Sequence, residues 1–385
     1  MIKILTIIGA RPQIIKAAAL SRAIKNVFGN RIKEIILHTG QHYDENMSKV
    51  FFNELKIPLP DYNLKVGSAS HGVQTAQMIE GIERVILDTR PACVVMYGDT
   101  NSTLAGAVAA SKLHVPVVHV EAGLRSFNKS MPEEINRIVC DHCSTLLFSP
   151  TRAGYENLVR EGFSTSNKPP FSSDNPGIFH CGDVMYDNTL FFSGIARTQT
   201  NILNRLGLEG GDFVLATMHR PNNTDKPQRL EAILSALAAI AEEKQIAIVF
   251  PVHPRTAKML QQLPNSALRR KITQDEKIKM IQPVSFLEMT ALEENARIII
   301  TDSGGVQKEA YFFRKPGIVL RAETEWVEIV ENGCAVLADA EQEKIVQAFH
   351  GFYNKPPENY PPLFGDGNSA VFICEEILKS FSAGL

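Results

Sequence analysis

Six short apolar runs, each stopping at a cluster of Gly, Asp, Glu, His or Arg, constrain this chain more than any other feature: KILTIIGARP, ACVVMYGDTNS, VPVVHVEAGLRS, DFVLATMHRP, IAIVFPVHPR and ARIIITDSGG. The runs are rich in Val and Ile and do not alternate with polar residues. They therefore read as strands covered on both faces, the habit of parallel sheets. Whatever follows such a strand stands at the carboxyl edge of its sheet, where open α/β sheets bind ligands. Arg11, Asp99, Glu121, His219, His253 and Asp302 are expected along those edges.

Helical patterns alternate with the runs. Strands are expected over 2–8, 34–38, 93–97, 116–120, 145–149 and 178–181, then over 212–217, 247–251, 278–281, 296–301 and 317–320. Helices are expected over 12–27, 44–55, 71–89, 101–113, 133–142 and 151–161, then over 227–243, 255–263, 284–293, 304–313 and 368–382. This cadence predicts an α/β fold of doubly wound parallel sheets. A chain of 385 residues outgrows a single core, so two Rossmann-like domains are expected: 1–183 with a C-terminal helix at about 366–385, and 184–365. Residues 164–176 carry three prolines without apolar periodicity and read as a surface loop. Two such domains facing each other would leave a cleft able to close over a ligand.

Forty basic against forty-two acidic side chains leave a net charge of −2, which supplies no field for nucleic acid or an anionic membrane. The start, MIKILTIIGARPQ, lacks the long apolar stretch and cleavage site of a signal peptide, and no run reaches the roughly 20 apolar residues of a membrane helix. A soluble cytoplasmic protein is expected. The six cysteines, mostly in apolar stretches, read as buried thiols rather than a disulfide framework. Cys140-Asp141-His142-Cys143 has the spacing of half a zinc site, but no second CxxC pair accompanies it, so a buried helix and no metal is expected.

Two turns invite an anion. Gly9-Ala10-Arg11-Pro12-Gln13 opens a helix with Arg11 and Lys16 nearby, although an ordinary turn with two solvated cations would read the same way. In Thr301-Asp302-Ser303-Gly304-Gly305, two glycines between strand and helix let the backbone approach a diphosphate. Ser303 adds a hydroxyl, and Glu309 could accept from a ribose diol. No GxGxxG occurs, which disfavours a nicotinamide or flavin cofactor.

Asp99, Glu121, Glu133 and Glu134 offer carboxylates for general acid/base work, because repulsion and desolvation separate the pKa values of such groups. Against this, Asp99 could cap the helix that follows it, and Glu134 with Arg137 could be a solvated helix pair. His219-Arg220 and His253-Pro254-Arg255 suit phosphate or sugar hydroxyls. His119 reads as a satisfied core residue, and Trp326 as either a cleft wall beside Arg321 or core.

GARPQ, TGQH, YGDTNSTLAGA, HVEAGLRS, MPEEINR, GDVMYD, HRPNNTD, PVHPRT, TDSGGVQKEA and TEWVE, in this order from residue 9 to 328, resemble the non-hydrolysing UDP-N-acetylglucosamine 2-epimerase family. PEEINR, SGGVQKEAYFFRKP and TEWVE look most like the branch acting on UDP-2,3-diacetamido-2,3-dideoxy-glucuronic acid; the N-acetylglucosamine enzymes tend to carry TERPE where this chain has Thr324-Glu325-Trp326-Val327-Glu328. The resemblance implies a glycosyltransferase-B architecture, a UDP-sugar substrate, a homodimer, no metal, no NAD, and a role in surface polysaccharide such as O-antigen.

It also implies site residues. Asp99, Glu121 and Glu133 match the family's proposed acid/base positions, with Arg137 and His219 as further active-site groups. Loss of a diphosphate needs cations and helix termini, which Arg11, His219, Ser303, Gly304 and Gly305 suit, with Lys16 near Arg11; by the resemblance Glu309 would hold the ribose, and His253 and Arg255 would lie near the nucleotide, with Pro283, Val284 and Phe286 flanking uracil. A uronate needs a carboxylate partner, for which Arg125 or Arg321 is nominated. The spacing from Glu121 to Glu133 is slightly shorter than in the N-acetylglucosamine enzymes, which would reshape the loop at Phe127–Met131.

Overall fold

The computed structural model describes residues 1–40 and 57–382; the expected helix 44–55 and the Gln41-His42 pair lie outside the described residues. Two compact units emerge, Met1–Leu190 with Pro362–Leu385, and Phe191–Pro361. The first holds a 7-stranded sheet in the order β3-β2-β1-β4-β5-β6-β7, built from β1 (Ile2–Ile8), β2 (Ile32–His38), β3 (Tyr62–Asn63), β4 (Cys93–Tyr97), β5 (Val117–Val120), β6 (Leu146–Ser149) and β7 (Gly177–His180). The second holds a 6-stranded sheet in the order β10-β9-β8-β11-β12-β13, built from β8 (Phe213–Thr217), β9 (Ala247–Pro251), β10 (Ile278–Ile281), β11 (Ile298–Thr301), β12 (Gly317–Val319) and β13 (Ala335–Leu337). Every strand pair is parallel.

The continuous apolar runs are explained by this topology. All five residues of β4 are buried, because helices cover both faces of the sheet. Leu5, Ile7, Val94 and Met96 pack against Met78, Ile82, Ala105 and Ala109 in the first unit. Val214, Ile248, Phe250 and Ile300 pack against Leu234, Leu237 and Phe349 in the second. Each such large side chain contributes about 1.5–3 kcal/mol on leaving water.

Strand order reverses direction between β1 and β4 in one sheet and between β8 and β11 in the other. Successive connections leave to opposite faces at these points, and the backbone ends diverge to open a crevice.

Several elements escaped the sequence reading. Helix Val184–Gln199 occupies the stretch taken as the junction, near Val184–Leu190, and the units divide inside it, after Leu190. Its first half is tied to the returning chain: Asp187 accepts from the amides of Ser369 (3.2 Å) and Ala370 (2.8 Å), and Asn188 donates to Ile15 O (2.6 Å). Beyond the boundary, Phe192 meets Phe286 edge-on at 5.2 Å. Helices Ser266–Gln274 and Gln342–Asn354 and the short strands β3 and β13 were also missed. Residues 164–176 form no helix or strand, as their prolines dictate. Among the described residues no helix is long and apolar enough to cross a membrane.

Helix Arg11–Ala23 starts on an internal cap. Gln13 Oε1 accepts from the amides of Gly9 (2.9 Å) and Ala10 (3.2 Å), while its Nε2 donates to Tyr97 O (2.9 Å) and Thr103 Oγ1 (3.0 Å). One buried amide thus locks the β1 turn to the end of β4. Gln13→Ala should destabilise the first unit by about 2–3 kcal/mol in urea unfolding, since the buried groups it serves lose their partners. Arg152→Ala, which breaks an exposed pair with Glu156 and a loose contact over the Tyr155 ring at 5.8 Å, should stay within about 0.5 kcal/mol.

Candidate functional site

In the first unit the turns after β1, β4 and β5 lie side by side, because those strands are neighbours. The β4 turn carries Gly98 and Asp99, and the β5 turn carries Glu121. Gly98 has φ +64, and a Cβ there would stand 3.0 Å from Lys16 Nζ and 3.3 Å from Glu121 Oε2. Lys16, from helix Arg11–Ala23, forms a close ion pair with the buried Glu121. Glu121 itself sits at φ +77, a strained setting for a residue with a side chain and one that clusters at functional sites.

Asp99 does not cap helix Asn101–Lys112. Thr100 does, accepting from the Thr103 amide, and the Asp99 carboxylate turns instead to Arg137 Nη2 at 2.5 Å. Nor is Glu134 with Arg137 a solvated pair. Both are buried, 2.8 Å apart, and Glu134 also accepts from the Ser126 and Phe127 amides at 2.9 Å. Burial opposes its charge, but those amides and the guanidinium prevail and hold its carboxyl below the usual range. Glu133, one residue earlier on helix Pro132–Cys143, is exposed. Glu134 is thus a structural anchor for the loop that follows Arg125, and it carries the highly exposed Phe127 with it.

The anion reading of the Gly9-Ala10 amides needs correction, since Gln13 already occupies both. Arg11 remains exposed at the start of the helix.

In the second unit His253, His219 and Asp302 follow the adjacent strands β9, β8 and β11. Asp302 is fully buried and accepts from the amides of His219 (3.1 Å) and Arg220 (3.0 Å), from Asn223 Nδ2 (3.1 Å), and stands 3.1 Å from His219 Nδ1. Burial disfavours its charge, yet His219, the Arg220 amide and Asn223 hold its carboxyl below the usual range. Asp302 therefore orients the half-exposed His219 rather than presenting itself at the edge. His253 caps helix Pro254–Gln261 by accepting from the Arg255 amide at 3.2 Å, its ring 6.4 Å from that of His219. Arg255 is paired with Asp225.

The Gly-rich turn opens helix Gly304–Phe312, capped by Ser303. Position 304 is tight: a Cβ there would stand 2.6 Å from Glu325 Oε1, so a larger residue would displace the Glu325 carboxylate. Trp326 is buried; its Nε1 donates to Gly304 O at 3.0 Å, and Lys308 Nζ lies 4.3 Å from its ring centre. It is a brace behind the turn. Glu325 pairs with Arg321 at 2.8 Å; burial opposes its charge, but Arg321, its own amide and Arg220 keep its carboxyl below the usual range. Glu309 adjoins the buried Glu293, whose carboxyl is pushed well above the usual range by burial and then by Glu309. Pro283 and Val284 follow the edge strand β10, and Phe286 begins helix Phe286–Asn295.

Arg125, nominated for a uronate carboxylate, is withdrawn. Its side chain is buried and donates to Glu161, Asp141 and Leu124 O, each at 2.7 Å. The Cys140–Cys143 segment holds free thiols, and among the described residues no group of three His, Cys, Asp or Glu could hold a metal.

The sequence reading passed over Gln13, Glu293, Glu325 and the partnership of His119 with Asp141. Gln13, Glu293, His119 and Asp141 lie inside elements that periodicity could place, whereas Glu325 lies in a loop beside Arg321; the distant partners, such as Tyr97 for Gln13 and Asp141 for His119, come only from the fold.

A family model described as UDP-N-acetylglucosamine 2-epimerase matches residues 26–378. A UDP-N-acetylglucosamine 2-epimerase homolog of Methanococcus maripaludis is 49% identical over 97% of this chain and 98% of its own length. The UDP-2,3-diacetamido-2,3-dideoxy-D-glucuronate 2-epimerase of Pseudomonas aeruginosa is 46% identical over 98% of this chain and 99% of its own. The crystal structure of Methanocaldococcus jannaschii UDP-GlcNAc 2-epimerase in complex with UDP-GlcNAc and UDP matches with a TM-score of 0.83 at 43% identity, covering 98% of this chain and 99% of that one. The two parallel-sheet domains are those of the glycosyltransferase-B architecture. With matches of this length in sequence and fold, the chain belongs to the UDP-N-acetylglucosamine 2-epimerase family and is an isomerase.

Proposed function

We propose that this epimerase inverts C2 of UDP-2,3-diacetamido-2,3-dideoxy-glucuronate, gluco to manno, by eliminating UDP and adding it back. The observation that carries the chemistry is the pair of carboxylates on neighbouring strand ends, Asp99 with Arg137 and Glu121 with Lys16. No carbonyl acidifies C2–H in such a sugar, so direct deprotonation is implausible. As the C1–O bond stretches, positive charge grows at C1 and C2–H becomes acidic. A carboxylate takes the proton, the C–H electron pair forms the C1–C2 double bond of a glycal, and UDP leaves with the C1–O pair. Protonation of C2 on the opposite face and return of the UDP oxygen to C1 complete the inversion.

In this reading Asp99, Glu121 and Glu133 exchange the proton, and Arg137 and Lys16 orient the first two carboxylates. The amino terminus of helix Gly304–Phe312, with Arg11, Ser303, Gly304, Gly305 and His219, stabilises the departing diphosphate, at about 3–4 kcal/mol per well-placed donor, and Arg321 is the remaining nominee for the uronate carboxylate. Glu309 takes the ribose, and Pro283, Val284 and Phe286 the uracil.

The substrate choice is supported by TEWVE and by the 46% identity to the Pseudomonas enzyme. A second reading, UDP-N-acetylglucosamine, is favoured by the 44% identity to the Methanocaldococcus UDP-N-acetylglucosamine 2-epimerase. Trp326 is buried behind the Gly304 turn, so it would tune preference through that turn and not by touching the sugar.

A direct comparison of the two nucleotide sugars decides between these substrates: kcat/KM should be higher for the diacetamido uronate, and a preference for UDP-N-acetylglucosamine would discard the finer assignment. In D2O the product should carry deuterium at C2 without net release of free sugar. Asp99→Asn and Glu121→Gln should each lower kcat by about 10²–10⁴-fold while UDP affinity stays within about threefold; unchanged turnover in both would sink the carboxylate mechanism.

A further inference from the structure

We infer that His119 and Asp141 form a buried positioning device, in which His119 works as an imidazolium that ties the turn of Asp99 to the turn of Glu121. The inference rests on the reading above for what those two carboxylates do.

His119 lies on β5, fully buried, between two acceptors. Its Nε2 stands 2.8 Å from Gly98 O, and its Nδ1 stands 2.6 Å from Asp141 Oδ1. A neutral imidazole has one N–H and could serve only one of them. Both contacts are made when both nitrogens carry protons. Asp141 then reaches the second turn, its Oδ2 accepting from the Gly123 amide at 3.1 Å. One side of the pair therefore grips the residue before Asp99, and the other grips the residue two beyond Glu121.

The charges close around this pair. Arg125 Nη2 donates to Asp141 at 2.7 Å and, with Nε, forks onto Glu161, which also stands 3.7 Å from His142. His119 and Arg125 balance Asp141 and Glu161, as a buried ionic cluster requires. Burial opposes the imidazolium, but Cys140 and Asp141 beside it reverse that and raise its pKa well above the ordinary value. Asp141 responds in kind: burial opposes its charge, and His119 and Arg125 hold its carboxyl below the usual range.

The turns need such a grip. Gly98, Glu121 and Gly123 all have positive φ, at +64, +77 and +79. Glycine adopts such backbone freely, but Glu121 holds it only where its surroundings over-determine it. The hydrogen bonds from the His119–Asp141 pair land on the backbone of these turns, which a core-filling role would not require.

Imidazole ¹⁵N NMR of the wild-type protein tests the protonation directly: both His119 nitrogens should carry protons from pH 6 to 8, and a neutral tautomer at pH 7 would overturn the inference. In Asp141→Asn, kcat should fall about 10²-fold with KM and UDP affinity within about threefold, and Asp141→Glu should recover part of the loss. Turnover within threefold of wild type in folded Asp141→Asn, or equal losses in kcat and UDP affinity, would also overturn it. Should Asp141→Asn not fold, Glu161→Gln at the partly exposed end of the cluster takes its place, with an expected loss in kcat of about tenfold and unchanged UDP affinity; wild-type kcat there counts against the device. Wild-type turnover in Asp99→Asn and Glu121→Gln would instead mark a failure of the carboxylate mechanism.

Discussion

The proposed site depends on where parallel strands stop. A doubly wound sheet must send its connections to opposite faces on either side of one strand pair, and here those pairs are β1 with β4 and β8 with β11. The residues beyond those strand ends are relieved of packing duties, because the core lies behind them. Asp99 in one unit, and His219 and the Gly304 turn in the other, occupy such places, with Glu121 beyond the neighbouring strand β5. The fold supplies divergent backbone ends, and the side chains supply the chemistry.

Charge is then arranged in compensated groups. Lys16 with Glu121, Arg137 with Asp99 and Glu134, and Arg125 with Asp141 and Glu161 all lie in one unit, each cation shielding a buried or half-buried anion. An isolated charge at such depth is costly, and a cation beside it offsets that cost and fixes the direction of the carboxylate. The Arg137 fork shows the division of labour. One nitrogen anchors the structural Glu134, and the other aims Asp99, so a single guanidinium links loop architecture to the proposed acid/base group.

The strands and long helices were legible in the sequence because apolar runs bounded by Gly, Pro and Asp have few other solutions. Helix 71–89 and strands 93–97, 247–251 and 278–281 were expected with the bounds the structure gives. Helix Val184–Gln199 was not, since its ends are anchored by contacts far along the chain, such as Asp187 to Ala370. The edge positions of Asp99, Glu121, His219 and His253 followed from strand ends alone. Their partners did not. Whether Asp99 capped a helix or met Arg137, and whether Arg125 was available to a substrate or enclosed by Asp141 and Glu161, depended on pairings 16 to 38 residues apart in sequence.

The Trp326 position shows how a family marker can act without facing a ligand. Thr324 Oγ1 bonds Gln307 at 2.6 Å and receives the Trp326 amide at 3.1 Å, while the indole fixes Gly304 O and Glu325 closes on the space a Cβ at 304 would need. The whole Arg321–Trp326 segment is thus molded to the back of the Gly-rich turn. Replacing Trp by Arg at 326 would exchange a neutral plane under Lys308 for a second cation, repelling Lys308 and removing the cation–π contact. The turn's carbonyl would then need another donor, and its amides would shift with it. A substitution behind the turn can in this way move the amides in front of it, because the turn has no side chain at 304 with which to absorb the change.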